Sequence, residues 1–303
     1  MSNFIVTGGK GFIGSHLVDK LVEQNHSVIV IDNESAESNE RFYINKSAIN
    51  VGFDINIYDD IEPLFYDIDY VFHLASEARL QPSIGNPLLT LKTNYQGTAN
   101  VLEASRKHKI KRVIFSSTSS LYGLKNNPPL REDMIPDCLT PYSASKIGAE
   151  ELCKLYYHLY GLETVILRYF NVYGERQPLK GQYAPIIGRF LKQWMYHKPM
   201  TIVGDGTKRR DYTYVQDVVN ANLLALNKNN DKMLGEVFNV GTGKNYSPIE
   251  IAKMIGGKYE FIDDRPAEAK ETLADTTKIQ SILGWKAETS LEDWIKKYKN
   301  IEI

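Results

Sequence analysis

Tyr142 and Lys146 stand four residues apart where a strong helical pattern begins, so on a helix both side chains face the same way. A phenol ordinarily ionises at about pH 10, but a neighbouring positive charge favours the phenolate and makes it a base near neutrality. Spacing alone does not decide the matter. This is the single Tyr-x-x-x-Lys among 19 tyrosines, and a chain of this composition gives about one or two by chance, which also suits a surface tyrosine. The position in the chain carries more weight. The apolar run Val113-Ile114-Phe115 leads directly into Ser116-Ser117-Thr118-Ser119-Ser120, and ligands of open parallel sheets bind at the carboxyl ends of the strands. A hydroxyl there can hydrogen-bond an oxygen that is becoming a carbonyl.

A second group of residues suits a phosphate. Phe4-Ile5-Val6-Thr7 runs into Gly8-Gly9-Lys10-Gly11-Phe12-Ile13-Gly14 and then into a helical pattern. Glycines let the backbone approach a pyrophosphate, and the helix N-terminus offers free N–H groups and the positive end of its dipole. The next apolar run, Val28–Ile31, ends at Asp32, about twenty residues on, where an acid bonds the adenosine ribose hydroxyls of a dinucleotide. Asp32 repels a 2′-phosphate, and Asn33-Glu34 supplies no compensating arginine, so NAD is favoured over NADP. Asp54-Ile55 follows a third short apolar run and suits the adenine, although such an acid also serves as a helix cap.

These residues need a scaffold. Short apolar runs at Phe4–Thr7, Val28–Ile31, Tyr70–Leu74, Val113–Ser116 and Thr164–Phe170 alternate with helical stretches at Phe12–Glu23, Asn94–His108 and Tyr142–Tyr160. Alternation of this kind predicts right-handed βαβ crossovers and a parallel sheet covered on both faces, a Rossmann-type doubly wound α/β fold. After Phe170 the pattern changes to a loop, a helix around Pro185–His197, a helix at Val215–Leu226, a buried strand at Glu236–Val240 and short helices ending in Trp285 and Trp294. The expected division is a dinucleotide-binding body, residues 1–169 and 211–245, and a smaller C-terminal α/β substrate lobe, residues 170–210 and 246–303.

Composition narrows the partners. The 303 residues carry 36 Lys and Arg against 37 Asp and Glu, a net charge of −1, without basic blocks, which makes nucleic acid and anionic membrane surfaces poor partners. No apolar stretch approaches the ~18–20 residues of a membrane span, and the first residues read as a strand, so the expected location is the cytoplasm. The two cysteines, Cys138 and Cys153, are expected to be reduced thiols, and no His or Cys spacing implies a metal.

The chain resembles the extended short-chain dehydrogenase/reductase family, specifically its NAD-dependent nucleotide-sugar epimerases and dehydratases. The resemblance rests on Thr7–Gly14, Asp32-Asn33, Asp54-Ile55, His73-Leu74-Ala75-Ser76, Asn94, Ser117-Thr118, Tyr142–Lys146 and Arg168–Gly174. By resemblance Thr118, Tyr142 and Lys146 form the catalytic trio, and Lys146 also holds the nicotinamide ribose. Gly8, Gly11, Phe12, Ile13, Gly14, Asp32, Asn33, Asp54, Ile55, Leu74, Ala75, Ser76, Asn94, Ser116 and Tyr169 complete the implied cofactor set, and Ser76 replaces the Ala more usual in the family.

Related 4,6-dehydratases carry Asp-Glu after the catalytic Thr, because eliminating water needs an additional acid and base; here Ser119 and Ser120 stand there, and related decarboxylases have Glu in place of Ser120. The resemblance therefore implies a 4-epimerase, closest to those acting on UDP-glucose or UDP-N-acetylglucosamine. Another nucleotide-sugar epimerase, a 4,6-dehydratase, or a non-catalytic dinucleotide-binding regulator are the alternatives. The implied substrate set is Arg79, Thr118, Ser119, Ser120, Tyr142, Asn171, Arg210, Arg265 and Thr272, with Arg210 and Arg265 on the diphosphate. Gln182–Pro185 is expected to border the base, and small Thr272 leaves room for an acetamido group. Apolar faces on Asn94–His108 and Tyr142–Tyr160, including Leu152, Leu155, Tyr156 and Leu159, serve either the core or, as in the family, a homodimer.

Overall fold

Runs of Val, Ile and Phe buried on both faces favour central parallel strands, and the chain forms seven of them. The computed structural model describes residues 1–36, 39, 41–179, 184–227, 229–264 and 269–302. Strands β1 (Asn3–Thr7), β2 (Ser27–Ile31), β3 (Ile49–Val51), β4 (Tyr70–His73), β5 (Arg112–Thr118) and β6 (Glu163–Tyr169) are joined at the edge by Val237–Val240. Their spatial order is Val237–Val240, β6, β5, β4, β1, β2, β3, all pairs parallel. The order reverses beside β1, so the Gly8 turn and the end of β4 open into one crevice, the place where such sheets bind ligands.

One face of the sheet packs under Leu17, Val18 and Leu21 of the Phe12–Glu23 helix and Val218, Val219 and Ala221 of the Val215–Leu224 helix. The other packs under Val101, Leu102, Ala149 and Cys153, from helices Gly97–Lys107 and Pro141–Tyr160. The Asn94–His108 stretch expected as one helix begins with a wider π turn at Lys92–Gln96.

A separate core of Tyr173, Phe190, Ile202, Tyr212, Ile251 and Trp294 makes the smaller lobe. Met200–Val203 pairs there in parallel with Tyr259–Ile262. The division expected from sequence needs correction at its C-terminal piece, because Ile279, Leu283 and Trp285 sit in the core of the body against the sheet. The Trp285 indole donates to the Asp217 carbonyl at 2.9 Å, which fixes this segment to the Val215–Leu224 helix.

Candidate active site

The turn after β1 depends on missing side chains. Gly8 has φ of +70°, and a Cβ there would stand 2.7 Å from the Ala75 nitrogen. A Cβ on Gly14 would fall 2.2 Å from the Gly8 carbonyl oxygen, so the helix can start this close to the turn only with glycine. No side chain caps the N-terminus of Phe12–Glu23 and its first turn holds no acid, which leaves N–H groups and dipole for an anion. Asp32 at the end of β2 accepts from the backbone N–H of Lys10 and of Glu34, each at 2.9 Å, and burial holds its carboxyl above the usual range. The residues present therefore fit a dinucleotide.

Several expected cofactor residues also make contacts within the protein. A cation does lie near Asp32, but it comes from the glycine turn: Lys10 is buried and paired with Glu34 at 2.6 Å. Asn33 accepts from Ser35 N–H. The Asp54 carboxylate accepts from Asn56 N–H at 2.9 Å, as a turn cap would, and Ile55 is in the core. Asn94 is buried with its amide engaged inside the protein, to Glu77 N–H at 2.7 Å, the Glu77 carbonyl at 3.0 Å and Ser145 Oγ at 3.0 Å. It braces the loop after β4 against the Pro141–Tyr160 helix. Leu74 and Ala75 N–H both reach the Thr7 hydroxyl, which closes the same loop over β1. Phe12 lies edge-on to His16, and the Tyr169 hydroxyl exchanges hydrogen bonds with Asn222.

The Pro141–Tyr160 helix starts at a capping box between Thr140 and Ser143 with Pro141 behind it, and stops at left-handed Gly161. This start places Tyr142 in the first turn and Lys146 one turn later, both buried. Ser83 Oγ accepts from Tyr142 N–H at 3.2 Å, so the short Leu80–Gly85 helix is pinned to the same point. Lys146 Nζ donates to the Ser116 carbonyl at 2.8 Å, and burial lowers its pKa to about 8. Burial raises that of the Tyr142 phenol, opposed by a hydrogen bond with Thr118 and the positive charge of Arg79. The sequence pointed to Lys146 as the cation favouring the phenolate; in the structure that cation is Arg79. Thr118 Oγ1 also accepts from Ser120 N–H and donates to Ser120 Oγ, both at 3.1 Å. Buried Ser119 and partly exposed Ser120 continue as a short turn.

On the substrate side Asn171, in a left-handed conformation, donates to the Asp211 carbonyl at 2.8 Å. Arg210 is turned toward the backbone of Arg209. Thr272 is buried beside Asp211, whose N–H it accepts at 3.4 Å. Arg265, Gln182 and Tyr183 lie outside the described residues.

Sequence reasoning missed Asp211. Its buried carboxylate accepts from Thr242 N–H at 2.8 Å, Thr242 Oγ1 at 2.7 Å, Gly243 N–H at 2.9 Å and Ala274 N–H at 3.1 Å, which ties three segments together. It also missed Glu150 and Arg168 as partners, although Glu150 repeats the four-residue step from Lys146.

Residues 4–241 match the model of the NAD dependent epimerase/dehydratase family. A putative UDP-glucose 4-epimerase of Methanocaldococcus jannaschii is 41% identical, over 98% of this chain and 97% of its own length. The crystal structure of UDP-glucose 4-epimerase with UDP-glucose from Thermotoga maritima superposes with a TM-score of 0.93 at 37% identity, covering 99% of both chains. A UDP-N-acetylglucosamine 4-epimerase from Methanobrevibacter ruminantium, in complex with UDP-N-acetylmuramic acid, gives 0.91 at 33% identity, covering 100% of this chain and 99% of its own.

Proposed function

The chain belongs to the NAD dependent epimerase/dehydratase family, and from that premise we propose that it inverts C4 of a UDP-hexose, interconverting UDP-glucose with UDP-galactose, UDP-N-acetylglucosamine with UDP-N-acetylgalactosamine, or both. The observation that carries this reading is the grouping of Thr118, Tyr142 and Lys146 at the end of β5, beside a glycine cradle that fits NAD, with serines where a dehydratase has its acid and base. Bound NAD supplies a hydride acceptor at C4 that returns the hydride to the opposite face.

The chain's own residues move the proton and hold the sugar. Tyr142 takes the C4 hydroxyl proton as the 4-keto sugar forms and gives it back as the ketone is reduced. Thr118 donates to the same oxygen, exchanging its present donation to Ser120 Oγ for one to the substrate. Lys146 holds the ribose next to the nicotinamide from its seat on Ser116. Asn171 and Arg210 border the diphosphate, with Arg265 assigned there by sequence, and Asp211 fixes that side to the body.

Small Thr272 supports acceptance of N-acetylated sugars. The 4-epimerases to which the chain is similar are named for UDP-glucose, for UDP-N-acetylglucosamine and for UDP-glucuronate. Turnover of both sugar pairs by the wild type and by Thr272→Tyr tests this: the variant should lose the N-acetyl pair and keep the plain pair. Equal loss of both would remove Thr272 as the discriminating residue. No helix among the described residues is long and apolar enough to cross a membrane, and NAD dependence with two free thiols supports a cytoplasmic enzyme.

A further inference from the structure

Three successive turns of the Pro141–Tyr160 helix meet three consecutive residues at the end of β5. The Tyr142 phenol lies beside Thr118, whose hydroxyl favours the phenolate, Lys146 donates to the Ser116 carbonyl at 2.8 Å, and Glu150 accepts from Ser117 Oγ in a short hydrogen bond. The first two contacts belong to the trio. The third belongs to a fully buried ion pair: Arg168 Nε donates to Glu150 Oε1 at 2.9 Å and Nη2 to Oε2 at 2.7 Å, a bidentate fork.

The network continues beyond the pair. Arg168 Nη1 donates to the Tyr122 hydroxyl at 2.8 Å, and that hydroxyl donates to Asn239 Oδ1 at 2.7 Å. Asn239 Nδ2 reaches the carbonyls of Leu130 at 2.8 Å and Asp275 at 3.3 Å. Leu130 pairs with the chain at Leu273 and Asp275, flanking Ala274, which donates to Asp211 on the substrate side. One buried polar chain therefore runs from the helix of Tyr142 and Lys146 to the segment that follows Thr272.

Stability does not account for such a pair, because apolar replacement of both partners of a buried ion pair is often neutral or stabilising, whereas removal of one is costly. We infer that Glu150 is a positioning residue of the reaction: clamped by Arg168, it sets the strand end Ser116–Thr118 against the helix of Tyr142 and Lys146 and couples both to the 273–275 segment. The inference rests on the 4-epimerase reading above.

Three variants separate positioning from packing. Glu150→Gln should lower kcat roughly 10- to 100-fold, since small displacements of reacting groups cost that much, with KM within about threefold, bound NAD retained and Tm lower by about 10 °C. Glu150→Met/Arg168→Met should recover most of the Tm but none of the kcat, because Ser117 and Tyr122 still lack their partners. Ser117→Ala, which leaves the ion pair in place, should fold as the wild type and lose kcat about tenfold, so the question stays open to test even if Glu150→Gln cannot be purified. Recovery of kcat together with Tm in the double variant, a defect confined to KM, or wild-type kcat in Ser117→Ala overturns the inference. Absence of turnover in the wild type with UDP-hexoses refutes the 4-epimerase reading itself and removes the inference with it.

Discussion

The Lys146 ammonium donates to the main-chain carbonyl of Ser116 at 2.8 Å, which ties the helix of the base to the strand of its hydroxyl partner. Burial lowers the pKa of this lysine to about 8, so the ammonium is present below that pH and lost as pH rises through it. His73, Glu150 and Cys153 surround it from β4 and its own helix. Turnover should therefore fall on the alkaline side with an apparent pKa near 8, measured as kcat/KM against pH. A profile that stays flat well above pH 8 contradicts this assignment.

Arg79 places a positive charge toward the Tyr142 phenol, against the burial that raises the phenol's pKa. Removing the charge in Arg79→Gln should push the phenol higher and lower turnover at neutral pH. Each unit of that displacement reduces turnover at neutral pH about tenfold. Arg79→Lys should restore part of the loss. Unchanged turnover at neutral pH in Arg79→Gln would show that the guanidinium does not act on the base.

His73 is fully buried and its pKa is depressed to about 3. Its ring bonds Thr7 Oγ1 at 2.7 Å and Thr98 Oγ1 at 2.9 Å. Thr98 spends its own proton on the Asn94 carbonyl, so Nε2 donates to it, and Thr7 Oγ1, which already accepts from Leu74 and Ala75 N–H, donates to Nδ1, which requires the neutral form. The unfolded chain protonates this histidine below about pH 6.5 while the folded chain resists, so stability is complete above that pH and is lost on acidification, by roughly 1.4 kcal/mol per pH unit. Thermal melts should show Tm lower by roughly 5 °C at pH 5 than at pH 6.5 from this group. His73→Gln should start less stable and lack that increment; an unchanged slope would assign the acid sensitivity elsewhere.

Leu155 and Leu159 are 44% and 66% exposed on the Pro141–Tyr160 helix, and Leu88 and Tyr95 lie exposed on the neighbouring segment. Leu152 and Tyr156 of the same helix pack into the body. The helix thus has one face for the core and an exposed apolar face, which we propose a second copy of the chain covers. Light scattering should give a mass of twice 34.5 kDa, and Leu155→Glu/Leu159→Glu should halve it. A wild-type mass of 34.5 kDa contradicts the dimer.

The parallel sheet was legible because its strands are continuous Val, Ile and Phe runs separated by long helical patterns, and Phe12–Glu23 forms with the bounds its sequence suggests. The glycine turn and the Tyr142–Lys146 spacing were legible because short-range geometry dictates both. What escaped was long-range. Nothing local marks the Asn94 amide as spent on Glu77 and Ser145, or Arg79 as the cation facing Tyr142. Ile279 and Trp285 reach the body's core because the chain returns from the lobe to cover the sheet edge, and helical periodicity does not reveal the destination of an apolar face.

The central claim is that the hydride removed from C4 is the one returned to it. UDP-glucose carrying deuterium at C4, incubated with the protein and followed by proton NMR, tests this most directly. The account predicts UDP-galactose that keeps the label at C4 with no solvent proton entering there, and no product from Tyr142→Phe. Wash-out of the deuterium, or failure of every UDP-hexose to change at C4, would contradict it.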